Sequence, residues 1–134
     1  MGAGGASRRV VLAPGRSRGG ALEVVGESFY QDQLEALAGG RTPYSQAIDC
    51  TAVLIPYSTN PHDANAVRVE IHGLVVGHLS RSAAMAYRDQ IAALGRPQGV
   101  AEAAARIVGG WDDGEDEGDF GVELKIQVPL ALAG

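Results

Sequence analysis

The fourteen residues "AVRVEIHGLVVGHL", from Ala66 to Leu79, constrain the fold more than any other part of the chain. Val67, Val69 and Ile71 alternate with Arg68, Glu70 and His72. Side chains along a strand point to opposite faces in turn, so this pattern puts an apolar row on one side and a polar row on the other. His72-Gly73 then predicts a hairpin corner, because Gly73 can take positive φ without a Cβ penalty. "LVVGHL" returns antiparallel. The chain is thereby committed to β structure at its centre.

The flanking segments are read in the same way. "ALEVVGES" is expected to be a strand, with Gly26 permitting a bulge or close approach near its end. "YQDQLEALAGG" predicts a short helix, with Leu34, Leu37 and Ala38 on one face and Gly39-Gly40 as the stop. In "IDCTAVLIPY", Thr51, Val53 and Ile55 alternate with Ala52 and Leu54, and the continuous apolarity predicts burial on both faces. Ser80 is a natural N-cap for a helix through "RSAAMAYRDQIAALG". Ala84, Tyr87, Ile91 and Leu94 form its core stripe, and Gly95 and Pro97 end it. "GVAEAAARIVGGW" is alanine-rich yet bracketed by glycines, and is taken as a strand. "FGVELKIQVPL" is expected to be the last strand, with Val122, Leu124, Ile126 and Val128 on one face. The order β-α-β-β-β-α-β-β predicts a mainly β (α+β) chain, arranged as a small, curled antiparallel sheet or partly open barrel.

Bulk properties narrow the function. At 134 residues the chain is expected to be one domain with tails. Residues 1–20 are expected to be a disordered basic tail, 21–130 the domain and 131–134 a C-terminal tail. A single cysteine, Cys50, excludes an internal disulfide and fits a reducing compartment. No stretch approaches the ~20 apolar residues of a membrane span, and "VVLA" is too short for a signal peptide. A cytoplasmic location is therefore expected, with no membrane partner. Net charge is −5, but it is unevenly spread. Arg8, Arg9, Arg16 and Arg18 lie in the tail, and six acids lie in the acidic loop 112–119. Without these, seven basic and ten acidic residues remain of the 11 and 16 in the chain. That balance does not fit a protein that coats nucleic acid, so any such contact must be local.

Enzyme and metal chemistry find little support in the motifs. The acidic run "DDGEDEGDFGVE" fails as a calcium loop in either register. Starting at Asp113 puts Leu124 where a bidentate glutamate is required, and starting at Asp112 loses the glycine. A solvated hairpin loop is expected instead. His62, His72 and His78 include no helical i, i+4 pair, and only Asp63 among the acids adjoins one of them. There is no G-x-S-x-G elbow, P-loop or dinucleotide fingerprint. No catalytic residue, metal or cofactor is assigned.

One constellation is more specific. "VVGESFY", "NPHDANAV" and "VVGHL", in that order and at these spacings, resemble the HIRAN domain. This module occurs in helicase-like DNA remodelling proteins and as small bacterial proteins. The resemblance runs from about Ala21 to Tyr87, and the final strand is compatible with it. It implies a modified OB-like (or SH3-like) barrel that binds the 3′ end of single-stranded DNA during DNA repair or processing. Carried over, the pattern places Asn60 and Asp63 near a terminal 3′ hydroxyl, whose proton a carboxylate can accept. His62 stands where the family often has a stacking aromatic, and Phe29, followed by Tyr30, is at another stacking position. His78 would donate toward phosphate or sugar, and His78 with Arg81 would neutralise phosphate. Ser28 stands where DNA-binding members can have an arginine for the phosphate, which removes a salt-dependent contact. The bland reading is that Asn60, Asp63 and Asn65 satisfy their own turn. The alternative function is a protein-interaction or structural module that keeps the fold without DNA.

Overall fold

The structure, a computed structural model, describes residues 9–16, 22–57, 65–97 and 99–133. In chain order it contains β1 (Val10–Val11), β2 (Val24–Val25), a 3-10 turn (Glu27–Tyr30), α1 (Gln31–Ala38), β3 (Gln46–Pro56), β4 (Val67–Ile71), β5 (Leu74–Leu79), α2 (Arg81–Ala93), β6 (Ala101–Gly109) and β7 (Phe120–Leu124). From β2 onward this is the expected alternation of strands and helices. The helix ends follow their sequence signals. Gly39 closes α1 in the left-handed conformation, and Ser80 Oγ caps α2 by accepting from the Ala83 N–H. The His72-Gly73 corner is also as expected, with φ of 51° and 79°.

The seven strands form one mixed sheet, ordered β1-β6-β3-β4-β5-β2, with β7 also paired to β6. β6 is its spine. One edge runs antiparallel to β3 for its whole length, and the other is shared by β1 in parallel and β7 antiparallel. The inward row of β4, Val67, Val69 and Ile71, is fully buried, as the period of two requires. It joins Leu54, Val76, Ile107 and Leu124 in one aliphatic core. Each such side chain gives about 1.5–3 kcal/mol on burial, so this row does far more for the fold than any surface pair. The alanines that β6 turns inward, Ala101, Ala103 and Ala105, occupy little volume. Tyr87 of α2, the largest fully buried side chain, fills the same core and donates its hydroxyl to the Gly99 carbonyl.

The expected antiparallel barrel is corrected to an open mixed sheet, in which β1 pairs in parallel. Main-chain pairing does not join β2 to β7; side chains bridge the gap. Gln31 pairs with the main chain of Phe120 as a strand would, donating to its carbonyl and accepting from its N–H at 2.9 and 2.8 Å. Glu27 accepts from the Val122 N–H at 3.2 Å. The edge of β7 is thus covered by the 3-10 turn and the start of α1. β3 also differs from expectation. Ala52 and Leu54 are buried, but Thr51 is exposed and Val53 and Ile55 are half-covered, because no layer packs fully on the outer face.

Residues 10–15 and 131–133, expected in tails, belong to the fold. Leu12 is buried, and its neighbours bond to both β6 and the C-terminal segment: Leu12 N–H to Glu102, Ala13 N–H to Ala131, Ala133 N–H to Val11. The final strand stops at Leu124, because the chain then pairs with residues 13–15 through Lys125 and Gln127. Ile126 stays buried, whereas Val128 is exposed and Leu130 takes the inward place. No helix among the described residues is long and apolar enough to cross a membrane.

Candidate functional site

The hairpin that anchors the sheet also builds its most distinctive surface. Val25, His78, Arg68 and Ile55 are successive cross-strand partners on β2, β5, β4 and β3, so they lie in one row on the outer face. Two tyrosines flank this row. The His78 imidazole lies 6.3 Å from the Tyr30 ring and 6.0 Å from the Tyr57 ring, tilted by 44° and 51°. The Arg68 guanidinium sits 5.5 Å above the Tyr57 ring. All four side chains are partly accessible. The result is a shallow platform of three rings and a cation.

Local sequence chemistry explains how these rings meet. Gly26 adopts φ 79°, which turns the chain out of β2 directly into the 3-10 turn carrying Phe29 and Tyr30. Gly77 lets that turn come close. A Cβ there would stand 2.8 Å from both Val24 Cγ1 and the Val25 carbonyl. Opposite, the register slips: Gly77 faces Val69, Val75 faces Glu70, and Val76 is the extra residue of a bulge. Val76 and Gly77 are therefore buried in succession, and His78 is aimed outward beside Arg68.

The far side of the platform is braced from α2. Tyr57 ends the strand-like run of β3, and its N–H bonds to the Ala66 carbonyl. Arg88 reaches both arms of this stem. It donates to the carbonyls of Asn65 at 2.7 Å, Ala66 at 3.0 Å and Tyr57 at 3.3 Å. One guanidinium thus gathers three main-chain acceptors from the two arms of this stem.

The electrostatics are quieter than a row of Arg and His implies. Arg68 is committed to Glu70 at 2.7 Å, and both are partly buried. Burial, and then the nearby Arg68 charge, push His78 below the ordinary histidine value of 6.5. At neutral pH it offers a hydrogen bond and a ring face, not a charge. The expectation that His78 helps neutralise phosphate is corrected accordingly.

Of the residues expected at the site, Tyr30 and His78 are brought together. Phe29 is 83% exposed on the same turn, but makes no ring contact with the cluster among the described residues. Arg81 is exposed on the first turn of α2, three residues after His78. Asn60, His62 and Asp63 lie outside the described residues. Tyr57, Arg68 and Arg88 were not anticipated. An outward polar position opposite a histidine was the available signal for Arg68. Arg88 gave none, because its partners are carbonyls 22 to 31 residues away.

Two other features compete for attention. The acidic loop is an exposed hairpin connection, as expected. Asp112 and Asp113 accept hydrogen bonds from loop N–H groups at Gly114, Glu115 and Asp116, and those bonds hold Asp113 below its usual value. Elsewhere, an open groove of about 530 Å³ is lined by Arg16, Asp49, Cys50, Arg106 and Lys125. Arg106 is paired with Asp49 and Lys125 with Glu123. Burial pushes the Cys50 thiol up, which leaves it a poor nucleophile. Comparison with family models, with curated proteins and with solved structures finds no match.

Proposed function

We propose that this chain is a non-catalytic binding module for the end of a single-stranded nucleic acid, most simply the 3′ end of DNA, in repair or processing. One observation carries the reading. The Tyr30 and Tyr57 rings lie 6.3 and 6.0 Å from the His78 imidazole on the sheet face. The sequence Asn60-Pro61-His62-Asp63 begins three residues after Tyr57. Stacking on such rings is worth about 1–3 kcal/mol per base and needs no net positive surface. That suits a chain of net charge −5.

In this reading the open sheet, bridged by Glu27 and Gln31, is the counterpart of a modified OB-type barrel. Tyr30 and Tyr57 stack bases, with Phe29 and His62 as outer contacts. His78 donates to sugar or phosphate oxygen. Asn60 and Asp63 take the terminal hydroxyl, and Arg81, exposed on the first turn of α2, supplies a cation for phosphate. Because so few charges are available, affinity should fall only gently with salt; the slope is about −0.7 per neutralised phosphate on a single strand.

Titrating labelled oligonucleotides with free or phosphate-blocked 3′ ends tests the proposal. Tighter binding of the free end is expected, and equal affinity for both would remove end recognition. A second reading, a protein-interaction module on the same fold, is favoured by the exposed acidic hairpin at 112–119. Absence of oligonucleotide binding at low salt, together with a defined protein partner, would favour it.

A further inference from the structure

We infer that Arg88 is the positioning residue of the ring platform, fixing Tyr57 beside His78 from a helix that itself presents no ring to the site. The inference deepens the proposed function and rests on it for its binding readout. The geometry supplies a physical reason. Tyr57 lies just past the last paired residue of β3, Pro56, where the ladder with β4 ends at Val67. Beyond the ladder, the Tyr57 N–H bond to the Ala66 carbonyl continues the pairing by one step. Pairing at the end of a ladder opens more readily than pairing at its centre.

Arg88 changes that balance. Its Nε donates to Asn65, and its Nη2 donates to both Tyr57 and Ala66. The two strand arms are thereby tied to each other and to α2, whose Tyr87 and Ile91 are fully buried and cannot shift without disturbing the core. Hydrogen bonds from a charged donor are about twice as strong as neutral ones. A planar guanidinium can also serve both arms at once, which a single ammonium cannot do in the same geometry. Tyr57 thus enters the platform already ordered, and ligand binding does not bear the cost of ordering it.

The test uses the full chain with Arg88→Met, which keeps the stem packing and removes all the donors. Amide hydrogen exchange at Tyr57 is expected to quicken about tenfold, while Ile71 and Leu74 in the opposite hairpin turn stay unchanged. Affinity for a free-ended oligonucleotide is expected to drop about tenfold if the ordered arrangement falls to about a tenth of the population. Arg88→Lys should recover part of both effects. Unchanged exchange at Tyr57 in folded Arg88→Met overturns the inference. If that variant does not fold, wild-type exchange in Arg88→Lys overturns it equally. Failure of the wild-type chain to bind any oligonucleotide sinks the nucleic-acid reading alone, since the exchange experiment still decides the role of Arg88.

Discussion

Two arginines hold two loop stems in this molecule, and the stems end in opposite ways. Arg41 donates to the carbonyls of Gly118 and Trp111, at 2.8 and 3.5 Å, at the base of the acidic hairpin. Arg88 does the same for Tyr57, Asn65 and Ala66. Around Arg41 the structure closes on itself. Gly118 lies against the Trp111 ring, Gly110 against Phe120, and the guanidinium covers the Phe120 face at 5.1 Å. Above it the acids bond their own backbone and face water. Around Arg88 the neighbouring rings stay half-open beside His78. The same device therefore secures a self-satisfied loop in one place and a half-open ring surface in the other. A clamp by itself says nothing of function; what it leaves accessible does.

The sharpest way to break the closed side is Gly109→Ala. Its φ is 79°, and a Cβ there would run into the Asp119 carbonyl oxygen, which belongs to the backbone and cannot swing away. A loss of about 3 kcal/mol or more is expected in urea unfolding, from strain and overpacking together. A near-neutral result would mean that the hairpin base is looser than described.

Arg41→Met comes next. It should cost about 2 kcal/mol in urea unfolding, as lost charged hydrogen bonds to part-buried carbonyls do. Oligonucleotide affinity should remain as in the wild type. Equal loss of binding in this variant and in Arg88→Met would erase the contrast between the two stems.

Tyr57→Leu inverts that pattern. The unfolding midpoint should barely move, whereas affinity should weaken about tenfold, the lower part of the range for losing one stacked base. Tyr30→Leu is expected to behave alike. Wild-type affinity in both would exclude the platform as the binding surface.

The smallest effect concerns His78 and pH. Its folded value lies below 6.5 because burial disfavours the charged ring. The unfolded chain therefore binds the extra proton first. The stability from neutral His78 is complete above pH 6.5 and declines as pH falls through the folded value. His78→Asn should flatten that part of the urea-midpoint profile relative to the wild type. Parallel profiles would show that the imidazole is not held neutral by the fold.

Much of the scaffold was legible before any coordinates. The period of two in Val67–Ile71, the His72-Gly73 corner, the Ser80 cap and the glycine brackets of β6 are local signals. Local geometry decides them, so a short window of sequence suffices. The site was legible only in part. Tyr30 and His78 could be named from a motif, but their meeting depends on Gly77 admitting β2 and on the bulge at Val76. Val128 was misplaced because a strand pattern continues in the sequence after the pairing partner has changed.

What the sequence by itself determined is the order of strands and helices from β2 onward and the inward row of β4, since alternation, caps and positive-φ glycines act over a few residues. Tertiary structure alone decided that the sheet does not close, that Glu27 and Gln31 cover its edge, and that Arg88 serves Tyr57. Those contacts join residues 22 to 95 positions apart, and their partners are mainly backbone groups, which every residue type carries alike. Side-chain identity cannot announce a bond whose other half is common to the whole chain.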